Sequence, residues 1–133
     1  MSPTLVYVDS SALIKLVFEE PESAALADFL RAWPSRVSSV LARIEMTRTV
    51  AQVEDPVADR EAQRVLRGLN LLRLDDEIMT MAASMAPRSL RSLDAIHLAS
   101  AQSLGQHLAG MVVYNRRLRE AARACGINTW TPA

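Results

Sequence analysis

The chain has 133 residues, half of them hydrophobic and only 5% aromatic. That matches one packed, helix-rich domain over residues 1–133 and excludes a disordered chain. Charge balances at a formal net of zero, which argues against blanket attraction to nucleic acid while leaving room for segregated charge. A single cysteine, Cys125, excludes both an intramolecular disulfide and a cysteine-based zinc site, and its position points to core packing.

The chain opens on an apolar β-type run, Leu5-Val6-Tyr7-Val8, that ends abruptly in Asp9-Ser10-Ser11. Such a run suits a strand covered on both faces in a parallel sheet, and ligands gather beyond the carboxyl ends of such strands. Asp9 belongs there, although Asp9 or Ser10 also suits the cap of the next helix. That helix runs through Leu13, Ile14 and Val17. A second carries Leu26, Phe29, Leu30 and Trp33 at helical spacing and stops at Pro34. Arg36-Val37-Ser38-Ser39 reads as a strand, followed by a helix whose apolar stripe is Val40, Ile44, Thr47 and Ala51, with Glu45 beside it.

Pro56 breaks the chain before a helix bearing Ala58, Ala62, Val65, Leu66 and Leu69, and Leu71–Leu74 reads as the third strand. Asp75, Asp76 and Glu77 start a helix that ends at Pro87, where their charge suits the helix dipole better than chemistry. Leu90–Ala101 is a helix apolar on nearly every side, with Asp94 in its first turn. Met111–Tyr114 is a fourth strand, Asn115 opens a helix reaching Cys125, and Ile127–Trp130 is a fifth strand. Strands alternating with helices give a parallel sheet of about five short strands with helices on both faces, an α/β sandwich. No stretch approaches the ~18 apolar residues of a membrane span, and no signal-peptide pattern is visible, so a cytoplasmic location without membrane contact is expected.

Three carboxylates interrupt otherwise apolar elements: Asp9, Glu45 and Asp94. Each has a plain structural role open to it, as cap, as partner of Arg48 or solvent, or as a charge at a helix N-terminus. Asn115 is likewise a good N-cap. Strand ends and helix starts of one parallel sheet nevertheless converge at its carboxyl edge. Two carboxylates ~4 Å apart repel by about 4 kcal/mol at an effective dielectric of ~20, so a cluster of three needs a cation. Carboxylate oxygens with open positions suit Mg²⁺ or Mn²⁺, and the matching chemistry is phosphodiester hydrolysis. Arg116 and Arg117 stand in the first turn of their helix, where the dipole disfavours them and bound phosphates or nearby acids would compensate. His97, one turn after Asp94, suits packing or the orienting of Asp94.

Tyr7-Val8-Asp9-Ser10-Ser11-Ala12-Leu13-Ile14-Lys15-Leu16 and Leu93-Asp94-Ala95-Ile96-His97-Leu98-Ala99-Ser100-Ala101 resemble the motifs of the PIN-domain ribonucleases. The likeness is closest to the VapC-type toxins of type II toxin–antitoxin systems and spans essentially the whole chain. It implies a PIN-like α/β/α sandwich and a Mg²⁺- or Mn²⁺-dependent endoribonuclease that acts on RNA, is usually a homodimer, and is neutralised by a cognate antitoxin. By the same resemblance Asp9 and Asp94 are the principal metal-binding acids, Glu45 the acid of the third helix, and Ser10 a supporting hydroxyl on the substrate side. Where family members commonly carry an acid after the fourth strand, this chain reads Tyr114-Asn115-Arg116-Arg117-Leu118. Asn115 is therefore a neutral, weakened ligand. A catalytically impaired domain that binds RNA or antitoxin is the alternative that this substitution raises.

Overall fold

A computed structural model describes residues 2–133. The strands are β1 (Leu5–Val8), β2 (Arg36–Ser39), β3 (Asn70–Leu72), β4 (Leu108–Val112) and β5 (Thr129–Trp130). All pair in parallel, in the order β3-β2-β1-β4-β5. The helices are α1 (Ser10–Lys15), α2 (Ser23–Arg31), α3 (Leu41–Ala51), α4 (Pro56–Arg67), α5 (Asp76–Ala83), α6 (Ser92–Gln102) and α7 (Arg116–Ala124). The expected α/β/α sandwich is what forms.

Alternation along β1 divides the core in two. Val6 and Val8 face α1–α4, packing with Leu13, Leu26, Leu30, Met46 and Val50. Tyr7 faces the opposite layer, with Leu98 of α6 and Leu118 and Ala122 of α7. The chain leaves β1 to build β2 and β3 on one side, then returns to build β4 and β5 on the other. Strand order reverses at β1, so the crevice at the carboxyl ends of β1 and β4 is the switch point where such sheets bind ligands.

Several boundaries and one helix register differ from the sequence reading. The third strand is Asn70–Leu72 rather than Leu71–Leu74, and the fifth begins at Thr129 rather than Ile127. The fourth begins at Leu108, not Met111, because Ala109 and Gly110, which look like a break, continue the ladder. Trp130 explains the glycine: a Cβ on Gly110 would lie 2.5 Å from its ring. Helix α6 starts at Ser92, since Leu90 closes a turn onto Pro87 O at 2.9 Å. In α3 the buried stripe is Ala42, Met46 and Val50 rather than Val40, Ile44, Thr47 and Ala51, and Ile44 is 58% exposed. An apolar side chain facing solvent misleads any count of periodicity. Cys125 is exposed, because α7 ends there and the chain turns out through Gly126 at φ 81°.

Candidate active site

Asp9 follows β1 and caps α1, so its capping role and its placement at the switch point coincide. Its Oδ1 accepts from Ser11 N at 2.5 Å and its Oδ2 from Ser11 Oγ at 3.1 Å. The same Ser11 Oγ accepts from Tyr114 N at 3.0 Å, and Asp9 N donates to Val112 O at 3.2 Å. One hydroxyl thereby locks the ends of β1 and β4 together and aims the carboxylate. Asp9 is 3% exposed. Burial pushes its carboxyl above the ordinary value, against the opposing pull of His97 and the Ser11 bonds.

Glu45 reaches the same region from the half-buried flank of α3. Its Oε1 accepts from Ser10 Oγ at 2.5 Å and from His97 Nε2 at 2.7 Å. Burial alone would raise this carboxyl, but the hydrogen bond and charge of His97, aided by Ser10, hold it below its ordinary value. His97 is 2% exposed, and its Nδ1 stands 2.7 Å from the Tyr7 hydroxyl. Burial opposes the imidazolium, yet Glu45, Asp9 and Asp94 together raise its pKa above the ordinary value. The Tyr7 phenol, buried beneath it, is raised so far that it stays protonated. With Tyr7 on Nδ1, Nε2–H donates to Glu45 whether or not the ring is charged.

The sequence suits His97 either to packing or to the orienting of Asp94, and the ring is indeed buried. Its hydrogen bond goes to Glu45, while Asp94 feels His97 only as a nearby charge. Tyr7 and Ser11 carry no functional signal in the sequence beyond their place in the Tyr7–Ser11 run. Their partners lie 90 and 103 positions away along the chain, and no local pattern reports such distances.

Asp94 lies half-buried in the first turn of α6, and burial raises its carboxyl while His97, Arg91 and Arg117 draw it down. It shares an open cleft of about 290 Å³ with Arg91, Asn115, Arg116 and Arg117. Asn115 caps α7, its Oδ1 accepting from Leu118 N at 3.2 Å. Arg116 finds one of the compensating acids expected for it, Glu120, at 3.0 Å. Thus Asp94, Asn115, Arg116 and Arg117 line one cleft, whereas Asp9, Ser10 and Glu45 cluster around His97. The acids Asp75, Asp76 and Glu77 do serve a helix start: Asp75 Oδ1 accepts from Ile78 N at 2.8 Å.

Neither Asp9 nor Asp94 makes an ion pair among the described residues. Two carboxylates that burial opposes, with basic groups near but none in ion-pair contact, are chemically suited to a hard cation. Among the described residues no three Asp, Glu, His or Cys side chains form a ready-made metal cage.

A family model for the PIN domain matches residues 6–124. The chain belongs to the PIN-domain family. Ribonuclease VapC46 of Mycobacterium tuberculosis is 43% identical over 128 residues, covering 96% of this chain and 98% of its own. Ribonuclease VapC47 of the same species is 37% identical, covering 96% and 97%. This PIN domain also superposes on solved folds. A toxin–antitoxin complex from Klebsiella pneumoniae matches with a TM-score of 0.74 at 20% identity, over 96% of this chain and 98% of that one. VapBC2 from Rickettsia felis, bound to a DNA fragment from its promoter, gives 0.73 at 10% identity, over 97% and 99%. At those identities the likeness concerns the fold alone. Among the described residues no helix is long and apolar enough to cross a membrane.

Proposed function

We propose that residues 1–133 act as a single PIN-like domain that is the endoribonuclease toxin of a type II toxin–antitoxin pair, dependent on Mg²⁺ or Mn²⁺. The observation that carries this reading is Asp9: a buried carboxylate that makes no ion pair among the described residues, at the switch point of a parallel sheet. Support also comes from the VapC ribonucleases to which the chain is similar across nearly its whole length.

Asp9 and Asp94 would hold the cation, with Glu45 assisting and Asn115 offering a neutral carbonyl oxygen. Such a cation neutralises charge on phosphoryl oxygens and makes water a better nucleophile. Glu45, tied through Oε1 by Ser10 and His97, keeps Oε2 to orient the attacking water and to accept its proton. Ser10 serves the substrate side indirectly, by fixing that carboxylate. Arg116 and Arg117 bind backbone phosphates of RNA, with Arg91 beside them. The protein works in the cytoplasm, as a homodimer, and is held inactive by a cognate antitoxin.

The binding-module alternative leaves the Ser10–Glu45–His97–Tyr7 network without a task, and it is not favoured. The test is incubation of total cellular RNA with the purified protein in Mg²⁺, in Mn²⁺ and in EDTA. Discrete fragments that vanish with EDTA, together with a rise in melting temperature on adding Mn²⁺ to the RNA-free protein, are expected. RNA left intact by the folded protein with either metal would contradict the reading.

A further inference from the structure

Beside the cleft of Asp94 lies a larger cavity, about 520 Å³, between the 87–90 turn and α7. Pro87, Ser89, Leu90, Glu120 and Ala124 line it, and Arg117 forms part of both its wall and the wall of the cleft. The site described above does not use it. Its volume is that of pockets taking small organic groups, and its lining is mixed. Pro87 and Leu90 offer apolar surface, while Ser89 and Glu120 offer polar atoms.

We propose that this cavity receives the base of the RNA nucleotide adjoining the scissile phosphate and selects bases that carry an amino group. The inference rests on the ribonuclease reading. A nucleotide's base hangs one sugar away from its phosphate, and the cavity adjoins the cleft, with Arg117 in the walls of both. With the phosphate on the cleft side of Arg117, the base falls on the other. Single-stranded RNA is read this way, by stacking on guanidinium or apolar surfaces and by hydrogen bonds to exposed base edges. Glu120 sets the preference. A carboxylate only accepts, so it favours the amino groups of cytosine, adenine or guanine over uracil, whose single N3–H donor lies between two carbonyl oxygens that repel it. Its present partner, Arg116, is an exposed i,i+4 neighbour, and such pairs are easily exchanged.

Two readouts test the proposal. In the first, wild type and Ala124→Trp, which fills the cavity from an exposed rim position, cut an RNA with all bases intact and the same RNA with one flanking base removed. The filled variant should lose about tenfold or more in kcat/KM on the intact RNA, and most of that penalty should disappear on the abasic one. Glu120→Gln should relax the discrimination against uracil at that single position. An equal penalty on both RNAs, or unchanged base preference in both variants, would overturn the assignment.

The second readout needs no cleavage. Nucleoside 5′-monophosphates titrated into the protein should shift backbone amide resonances of residues 88–90 and 120–124, with CMP, AMP or GMP ahead of UMP, and Ala124→Trp should suppress this. Shifts confined to Arg116 and Arg117 would mean phosphate contact alone and would refute the base pocket. Pocket shifts without any RNA cleavage would leave the pocket standing and remove the ribonuclease reading. Cleavage without pocket shifts would do the reverse.

Discussion

The two halves of the candidate site are held in opposite ways. On the inner side Asp9, Glu45 and Ser10 are tied by Ser11 and His97, and the ties continue through Tyr7 into the core under the sheet. On the outer side Asp94, Asn115, Arg116 and Arg117 line an open cleft, and Asp94 has no ion-pair partner among the described residues. The inner half is organised before any ligand arrives. The outer half needs cation, water and phosphate to complete it. A fixed half can aim an attacking water, whereas an open half can admit a polymer.

The largest test of the inner half is His97→Ala. It strands Tyr7 and Glu45 and leaves a buried gap, so unfolding in denaturant should show a loss of about 3–5 kcal/mol. His97→Gln, which keeps one donor toward Glu45, should lose clearly less. Equal stability of His97→Ala and wild type would show that the inner ties hold nothing.

Stability against pH gives a smaller effect of definite sign. His97, raised above 6.5, adds stability that is complete below pH 6.5 and is lost as pH rises through its folded value. Asp9, raised above 3.8 by burial, acts in the same direction from lower pH. Glu45, held below 4.5, adds stability that is present above pH 4.5 and lost only as pH falls through its lower folded value. Metal-free protein should therefore be most stable in mildly acid solution and weaken toward alkaline pH. Glu45→Gln, which removes the main group raising His97, should flatten that decline. An unchanged profile in the variant would break the link between the two residues.

The smallest effect belongs to the outer half. Asn115→Asp keeps the cap of α7, since both residue types cap equally well, and adds one negative charge to the cleft. Tighter Mn²⁺ binding with cleavage changed by less than about tenfold is expected, because the tethered acids already suffice. A large gain from near-zero activity would revive the impaired-domain reading.

How far these halves were legible in the sequence follows from the range of the contacts that build them. Asp9 stood out because an apolar run ends on it, and Asp94 because it interrupts an apolar helix. Asn115, Arg116 and Arg117 follow a strand in one local run. The inner network spans 35 to 103 positions, and His97 reads locally as the neighbour of Asp94, not of Glu45. Helix α3 misled for another reason. Ile44 faces solvent, so the side holding Glu45 toward the site is marked by Ala42 and Met46, a weaker apolar signal.

The most direct measurement is single-turnover cleavage of a mapped RNA by wild type, Asp9→Asn and Asp94→Asn in saturating Mn²⁺, with a melting curve for each. Asparagine preserves the α1 cap at position 9, so both variants should melt near wild type while cutting at least about 10²–10³-fold more slowly. Cleavage by either folded variant within about tenfold of wild type would contradict the assignment of these two carboxylates to the catalytic centre.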